Sequence, residues 1–194
     1  MNQSQRALVA LFIMTACWGA TFPFIHIALH DCSPILFVVI RNIIASMILL
    51  PIFFAHCRNT HPRLFMHAVI LGVLNGFSNI AQTIGLTTLS SSSSAFITAI
   101  NVVLVPFLLP LFKLDRIRNI DLLAAGLSLV GVYILSQTQN RIAWQGLSWT
   151  LACAVSYAAY ICALSKFTQQ CKDVFLLVFY QIIISALFPL CLLP

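Results

Sequence analysis

The sequence predicts an all-α protein that crosses a membrane repeatedly. Three observations carry that prediction. Of its 194 residues, 61% are hydrophobic and 7% charged, whereas soluble domains carry roughly 25% charged residues. Mean hydropathy is +1.01. The apolar residues fall into seven runs, at about 7–29, 35–55, 67–87, 94–113, 120–137, 145–165 and 174–194. A helix needs roughly 20 apolar residues to cross a hydrocarbon core of about 30 Å, and each run is near that length. The links between runs are short, so successive helices are expected as antiparallel neighbours, with no room for a soluble domain.

The first run, within MNQSQRALVALFIMTACWG, has the look of a secretory leader. It continues past Trp18, however, and exceeds the ~7–15 residues of a leader's apolar region, so an uncleaved first span is expected. Trp18 lies near mid-span, whereas interfacial tryptophans sit at span ends. That placement points to helix packing or to a cavity wall, and the adjacent Gly19 would permit close helix approach. His26 and His30, at i, i+4 near the outer end, lack a suitable third ligand beside Asp31 and Cys32, so no metal site is expected. No cofactor is expected either.

Arg41 interrupts the second run. An arginine inside a span costs about 2.5–3.5 kcal/mol on insertion scales and requires an explanation. At 1.5 Å per residue it stands roughly 9 Å from the span's outer end. Two readings stay open: it reaches the outer interface or pairs with Asp31, or it faces a cavity and attracts anionic groups of a solute.

The third and fourth runs carry the strongest site signal. Asn75, Asn79 and Gln82 fall at i, i+4, i+7 and share one helix face. Carboxamides turned to lipid leave donors and acceptors unpaired at several kcal/mol each, so these must face other helices or water. As interhelical glue each would contribute only about 0.6 kcal/mol, and three aligned amides point instead to a cavity lining. Ser94, Thr98 and Asn101 repeat the spacing on the fourth run. Ser94 and Thr98 are expected to bond to carbonyls of their own helix. Pro106 frees a carbonyl near residue 102, a feature of broken helices at transport sites and equally of an ordinary kink. The run Ser90–Ser93 reads as a tight hairpin of small residues; it lacks the glycines and lysine of a phosphate loop. In the sixth run, Tyr157 and Tyr160 lie about one turn apart and supply aromatic surface.

Charge sets an expected orientation. With the N-terminus in the cytoplasm, the inner loops hold Arg6, Arg58, Arg63, Lys113, Arg116, Arg118, Lys166 and Lys172, and the outer loops only Arg141. That asymmetry obeys the positive-inside rule, and the net charge of +6 serves topology without the clustering that nucleic acid would require. There is no glutamate, and Asp31, Asp115, Asp121 and Asp173 are expected outside the spans. His56, His61 and His67 fall around an inner loop. The seven cysteines show no CxxC or metal spacing and are expected to be reduced, small hydrophobes. No nucleophile–base pair stands out, so enzymatic chemistry is not expected.

A weak internal repeat runs at an offset of about 140 residues. Cys17-Trp18-Gly19-Ala20 lies beside Ser156-Tyr157-Ala158-Ala159, and Arg41-Asn42-Ile43-Ile44-Ala45-Ser46 beside Gln181-Ile182-Ile183-Ile184-Ser185-Ala186. Five spans separate the copies, an odd number, so they would sit in opposite membrane orientations. Residues 1–140 would then form one five-helix repeat and 141–194 the start of an inverted second, truncated in mid-run at Pro194.

Several features in order resemble the drug/metabolite transporter superfamily, EamA type. They are Trp18-Gly19, Arg41, Gly85-Leu86 followed by Ser90–Ser94-Ala95-Phe96, Pro106, the stretch Leu114-Asp115-Arg116-Ile117, and Gly126 with Gly131-Val132. The resemblance implies ten spans in two inverted halves and transport of small organic solutes by alternating access. It places the protein in an inner or plasma membrane, within the lipid bilayer and with a small-molecule substrate. Related small multidrug exporters use a buried glutamate for proton exchange, which has no counterpart here. A facilitator, or an antiporter whose coupling group lies in missing spans, is therefore the expectation. The solute site would lie among spans 1, 3, 4 and 6, formed by Trp18, Asn75, Asn79, Gln82, Asn101, Tyr157 and Tyr160, with Arg41 biasing charge. A non-functional fragment, and a half-transporter that forms a homo- or heterodimer, remain open alternatives.

Overall fold

The computed structural model describes residues 3–56, 62–114, 119–136, 143–171 and 173–192. Among these the chain forms helices α1 (Gln3–Ala28), α2 (Pro34–His56), α3 (Pro62–Gly85), α4 (Ser91–Leu108), α5 (Asn119–Ser136), α6 (Trp144–Gln170) and α7 (Val174–Leu190). The described residues contain no strand. The all-α, polytopic class expected from the apolar runs is the class observed. Helices α1, α2, α3, α4 and α6 are long and apolar enough to cross a membrane, and α5 and α7 contribute shorter apolar stretches. Arg58, Arg116, Arg118, Arg141 and Lys172, which carry much of the orientation signal, lie outside the described residues. So do Cys57, His61 and Asp115.

Helix starts follow capping chemistry. The Ser90 hydroxyl accepts from the Ser93 backbone N–H at 3.3 Å, so α4 begins at Ser91, earlier than the apolar run indicates. The serine run is therefore largely the first turn of α4, and the reversal lies in residues 86–90. Serine is a strong N-cap because its short hydroxyl reaches an otherwise orphaned N–H. Asp173 caps α7 in the same way, accepting from the Leu176 N–H at 3.1 Å. Asp121 sits in the first turn of α5, inside the helix, whereas all four aspartates were expected outside the spans. An acidic group there complements the partial positive charge of the helix start.

The lateral order differs from simple up-down succession. Helix α6 packs against both α3 and α4, and α7 against both α3 and α2, while α3 and α4 scarcely meet. Thus α3 is the middle of the bundle, and α6 stands between the two helices of the expected hairpin. Leu64, Ala68 and Leu71 of α3 form the main core with Tyr160 and Ala163 of α6 and Leu176 and Leu177 of α7. A smaller cluster joins Phe22 and Ile25 of α1 to Leu86 just beyond α3.

Small residues set the close approaches. A Cβ added at Gly72 would come within 2.6 Å of Ile184 Cβ and 2.9 Å of the Gln181 carbonyl, and one at Gly76 within 3.2 Å of Phe188. Gly72 and Gly76 form a GxxxG pair, the pattern that lets membrane helices bring their backbones together. A second tight crossing joins α3 to α6, where a Cβ at Gly85 would strike Thr150 and one at Gly146 would strike Thr88. Gly19, expected to admit a neighbour, has nothing within 4 Å of an added Cβ. The first half of α1 is bare: Leu8, Leu11 and Phe12 are exposed.

Candidate functional site

The polar stripe of α3 opens on a cavity among α1, α3, α4 and α6. Its lining is Trp18, Asn75, Ser78, Asn79, Gln82, Thr98, Cys153 and Tyr157, and about 70 Å³ is open to the centres of water molecules. One water needs roughly 10–15 Å³ by that measure, so the cavity admits several waters or part of an organic molecule. The helical spacing of Asn75, Asn79 and Gln82 brings the three amides to one wall of this cavity.

The facing wall is aromatic. Trp18 stacks on Tyr157 with ring centroids 5.7 Å apart and an interplanar angle of 23°. These are the two residues aligned by the repeat at an offset of about 140, and they meet across α1 and α6. Tyr157 in turn lies 5.5 Å from Tyr160, forming a short aromatic ladder. Offset ring pairs of this kind contribute about 0.5–1.5 kcal/mol beyond their buried area. Trp18 remains 40% exposed, so one end of the ladder is open.

A hydrogen-bond network fixes the cavity's base to α2 and α7. Asn75 Nδ2 donates to Ser185 Oγ at 3.3 Å. Asn42 Nδ2 donates to the same hydroxyl at 3.3 Å and to the Ser185 carbonyl at 3.0 Å. Ser78 Oγ and Ser156 Oγ both donate to the Leu74 carbonyl, at 2.9 and 3.1 Å, tying α6 to α3 directly beneath the amides. Asn75 is therefore both lining and interhelical link.

Five of the eight residues expected at the site, Trp18, Asn75, Asn79, Gln82 and Tyr157, share this cavity. Three stand apart from its lining. Tyr160 belongs to the α3–α6–α7 core, where its hydroxyl accepts from Gln181 Nε2 at 2.9 Å. Asn101 is 2% exposed, and its Nδ2 has no partner among the described residues. Arg41 is half-buried in α2, and no ion pair to Asp31 forms; the Asp31 side chain is exposed.

Ser78, Thr98 and Cys153 complete the lining without having been singled out as site residues. Thr98 and Ser94 were expected to bond to their own helix. The buried Ser94 hydroxyl has no partner among the described residues, and the buried Thr98 hydroxyl lies beside the Cys153 thiol of α6, because α4 turns this face toward α6 and the cavity. The signal available in the sequence was their spacing with Asn101, which puts all three on one face. No group of three or more metal-type ligands occurs among the described residues.

Apolar helices long enough to cross a membrane, packed around a polar cavity, define the class: a multi-pass membrane protein. Residues 5–137 match the model of the EamA-like transporter family, and the chain belongs to that family. It is also 30% identical over 175 residues to an "uncharacterized transporter" of Archaeoglobus fulgidus, an alignment covering 90% of this chain and 52% of the relative. The chain thus spans about half the length of that curated relative. No solved structure matches it.

Proposed function

We propose that the protein is a secondary transporter that moves small organic solutes by alternating access, without a chemical step. The observation that carries this reading is a cavity lined by amides, hydroxyls and stacked rings within an otherwise apolar bundle. In lipid such polar groups are tolerated where they line a water-filled or solute-filled space. Membership of a transporter family supports it. The proposed location is a cytoplasmic or inner membrane with the N-terminus inside, which the lysine and arginine distribution favours.

Residues 1–140 would form one repeat and 141–194 the opening helices of an inverted second. Contact between the equivalent helices supports this: α1 meets α6 through Trp18 and Tyr157, and α2 meets α7 through Asn42 and Ser185. Elements related by a two-fold axis touch where they approach that axis. The bare face of α1 would then receive further helices, from a longer chain or from a second subunit.

The test is solute flux in cells carrying the Asn79→Leu substitution, which keeps side-chain size and deletes both polar functions. Leaving a bound solute's polar group unpaired costs about 1–3 kcal/mol, so flux at limiting solute should fall about tenfold or more with membrane insertion unchanged. Full flux would remove Asn79 from the solute path.

A further inference from the structure

We infer that the cavity selects uncharged, planar solutes that present adjacent hydrogen-bond donors and acceptors, of the carboxamide or nucleobase type. This rests on the reading of the cavity as the solute site and names what that site takes.

The first observation is the absence of charge in the lining. Trp18, Asn75, Ser78, Asn79, Gln82, Thr98, Cys153 and Tyr157 surround the space, and none of these side-chain types is charged at neutral pH by its ordinary pKa. Arg41 does not line it. A charged solute entering a low-dielectric site without a counter-charge leaves its desolvation cost unrepaid. A neutral polar solute meets no such penalty.

The second observation is open hydrogen-bonding capacity of both signs. Among the described residues, protein hydrogen bonds engage one amide nitrogen, Asn75 Nδ2, the hydroxyl hydrogen of Ser78, and the Thr98–Cys153 pair. The side-chain amides of Asn79 and Gln82 stay open toward the cavity. Thr98 is 1% exposed and lines the same space, its hydroxyl beside the Cys153 thiol. A side-chain amide presents a donor and an acceptor on one edge, which matches the paired donor and acceptor of a carboxamide or of a base such as adenine.

The third observation is the Trp18–Tyr157 stack on the facing wall. A flat conjugated solute can lie against such rings whatever its substituents, because every such ring has a π-face. Together, amide edges on one side and a ring face on the other define a planar, neutral ligand.

The test uses nicotinamide, nicotinate and the N-methylnicotinamide cation, which share a ring and differ in charge. Trp144→Phe and Trp149→Phe leave Trp18 as the sole tryptophan, so its fluorescence reports the site; calorimetry on the unsubstituted chain in nanodiscs provides the same ranking without substitutions. Saturable binding of nicotinamide at least about tenfold tighter than either charged analogue is expected. Asn79→Asp, close to isosteric, should shift preference about tenfold toward the cation. Equal or tighter binding of nicotinate or of the cation by the unsubstituted chain would overturn the neutral class while leaving the cavity a solute site. If none of the three binds saturably, while the chain is folded, the inference fails together with the reading beneath it.

Discussion

Alanine in place of Gly72 is expected to separate α7 from α3 and to destabilise the bundle by about 1–3 kcal/mol, the usual cost of overpacking a tight interface. The reason is geometric. The new methyl group would lie 2.6 Å from Ile184 Cβ and 2.9 Å from the Gln181 carbonyl oxygen. Neither is the free end of a side chain that can rotate away, so the helix axis itself must move. Because Ser185 is one turn from Gln181, the shift would also loosen its bonds from Asn42 and Asn75. Reversible unfolding in mixed detergent micelles measures the cost. Gly126→Ala is the control, because an added Cβ there meets nothing within 4 Å; a similar loss at both positions would show that helix propensity, and not the α3–α7 seam, decides.

Trp18→Ala is expected to weaken solute binding about thirtyfold, a loss near the 2 kcal/mol that marks a dominant contact residue. It removes one ring of the Trp18–Tyr157 wall and opens the cavity toward the exposed side of α1. Fold stability should change little, because α1 is only lightly packed within the chain. Calorimetric titration with a bound solute, beside thermal unfolding of the same sample, separates the two effects. Phe12→Ala, on the exposed half of α1, should alter neither.

The seven apolar helices of the described residues, the all-α class and much of the cavity were legible because they depend on local periodicity. Asn75, Asn79 and Gln82 are costly in lipid, so their shared face had to meet something polar, and the spacing alone identified that face. Lateral order was not legible. Apolar runs specify that helices cross the membrane, but not that α6 stands between α3 and α4. Thr98 and Cys153 therefore stayed hidden, since a small polar residue in a span ordinarily satisfies itself on its own helix. Arg41, Asn101 and Tyr160 have site-like chemistry in sequence yet stand outside the lining, for want of that same lateral information. The glycines show both outcomes: Gly72 and Gly76 form a readable GxxxG pair that the polar stripe overshadowed, whereas Gly19 beside Trp18 drew notice but has no close neighbour. The repeat, faint by letter, aligned Trp18 with Tyr157, and those rings stack.

The most direct measurement is aqueous access to the α3 stripe. Cysteine is placed at Asn79 in a variant freed of its native cysteines, and its reaction with a water-soluble methanethiosulfonate is followed in intact membranes with and without solute. If the cavity is the solute site, Asn79→Cys is modified from water and a bound solute slows that modification in proportion to its occupancy. Modification at an unchanged rate under saturating solute, or none at all, would contradict it.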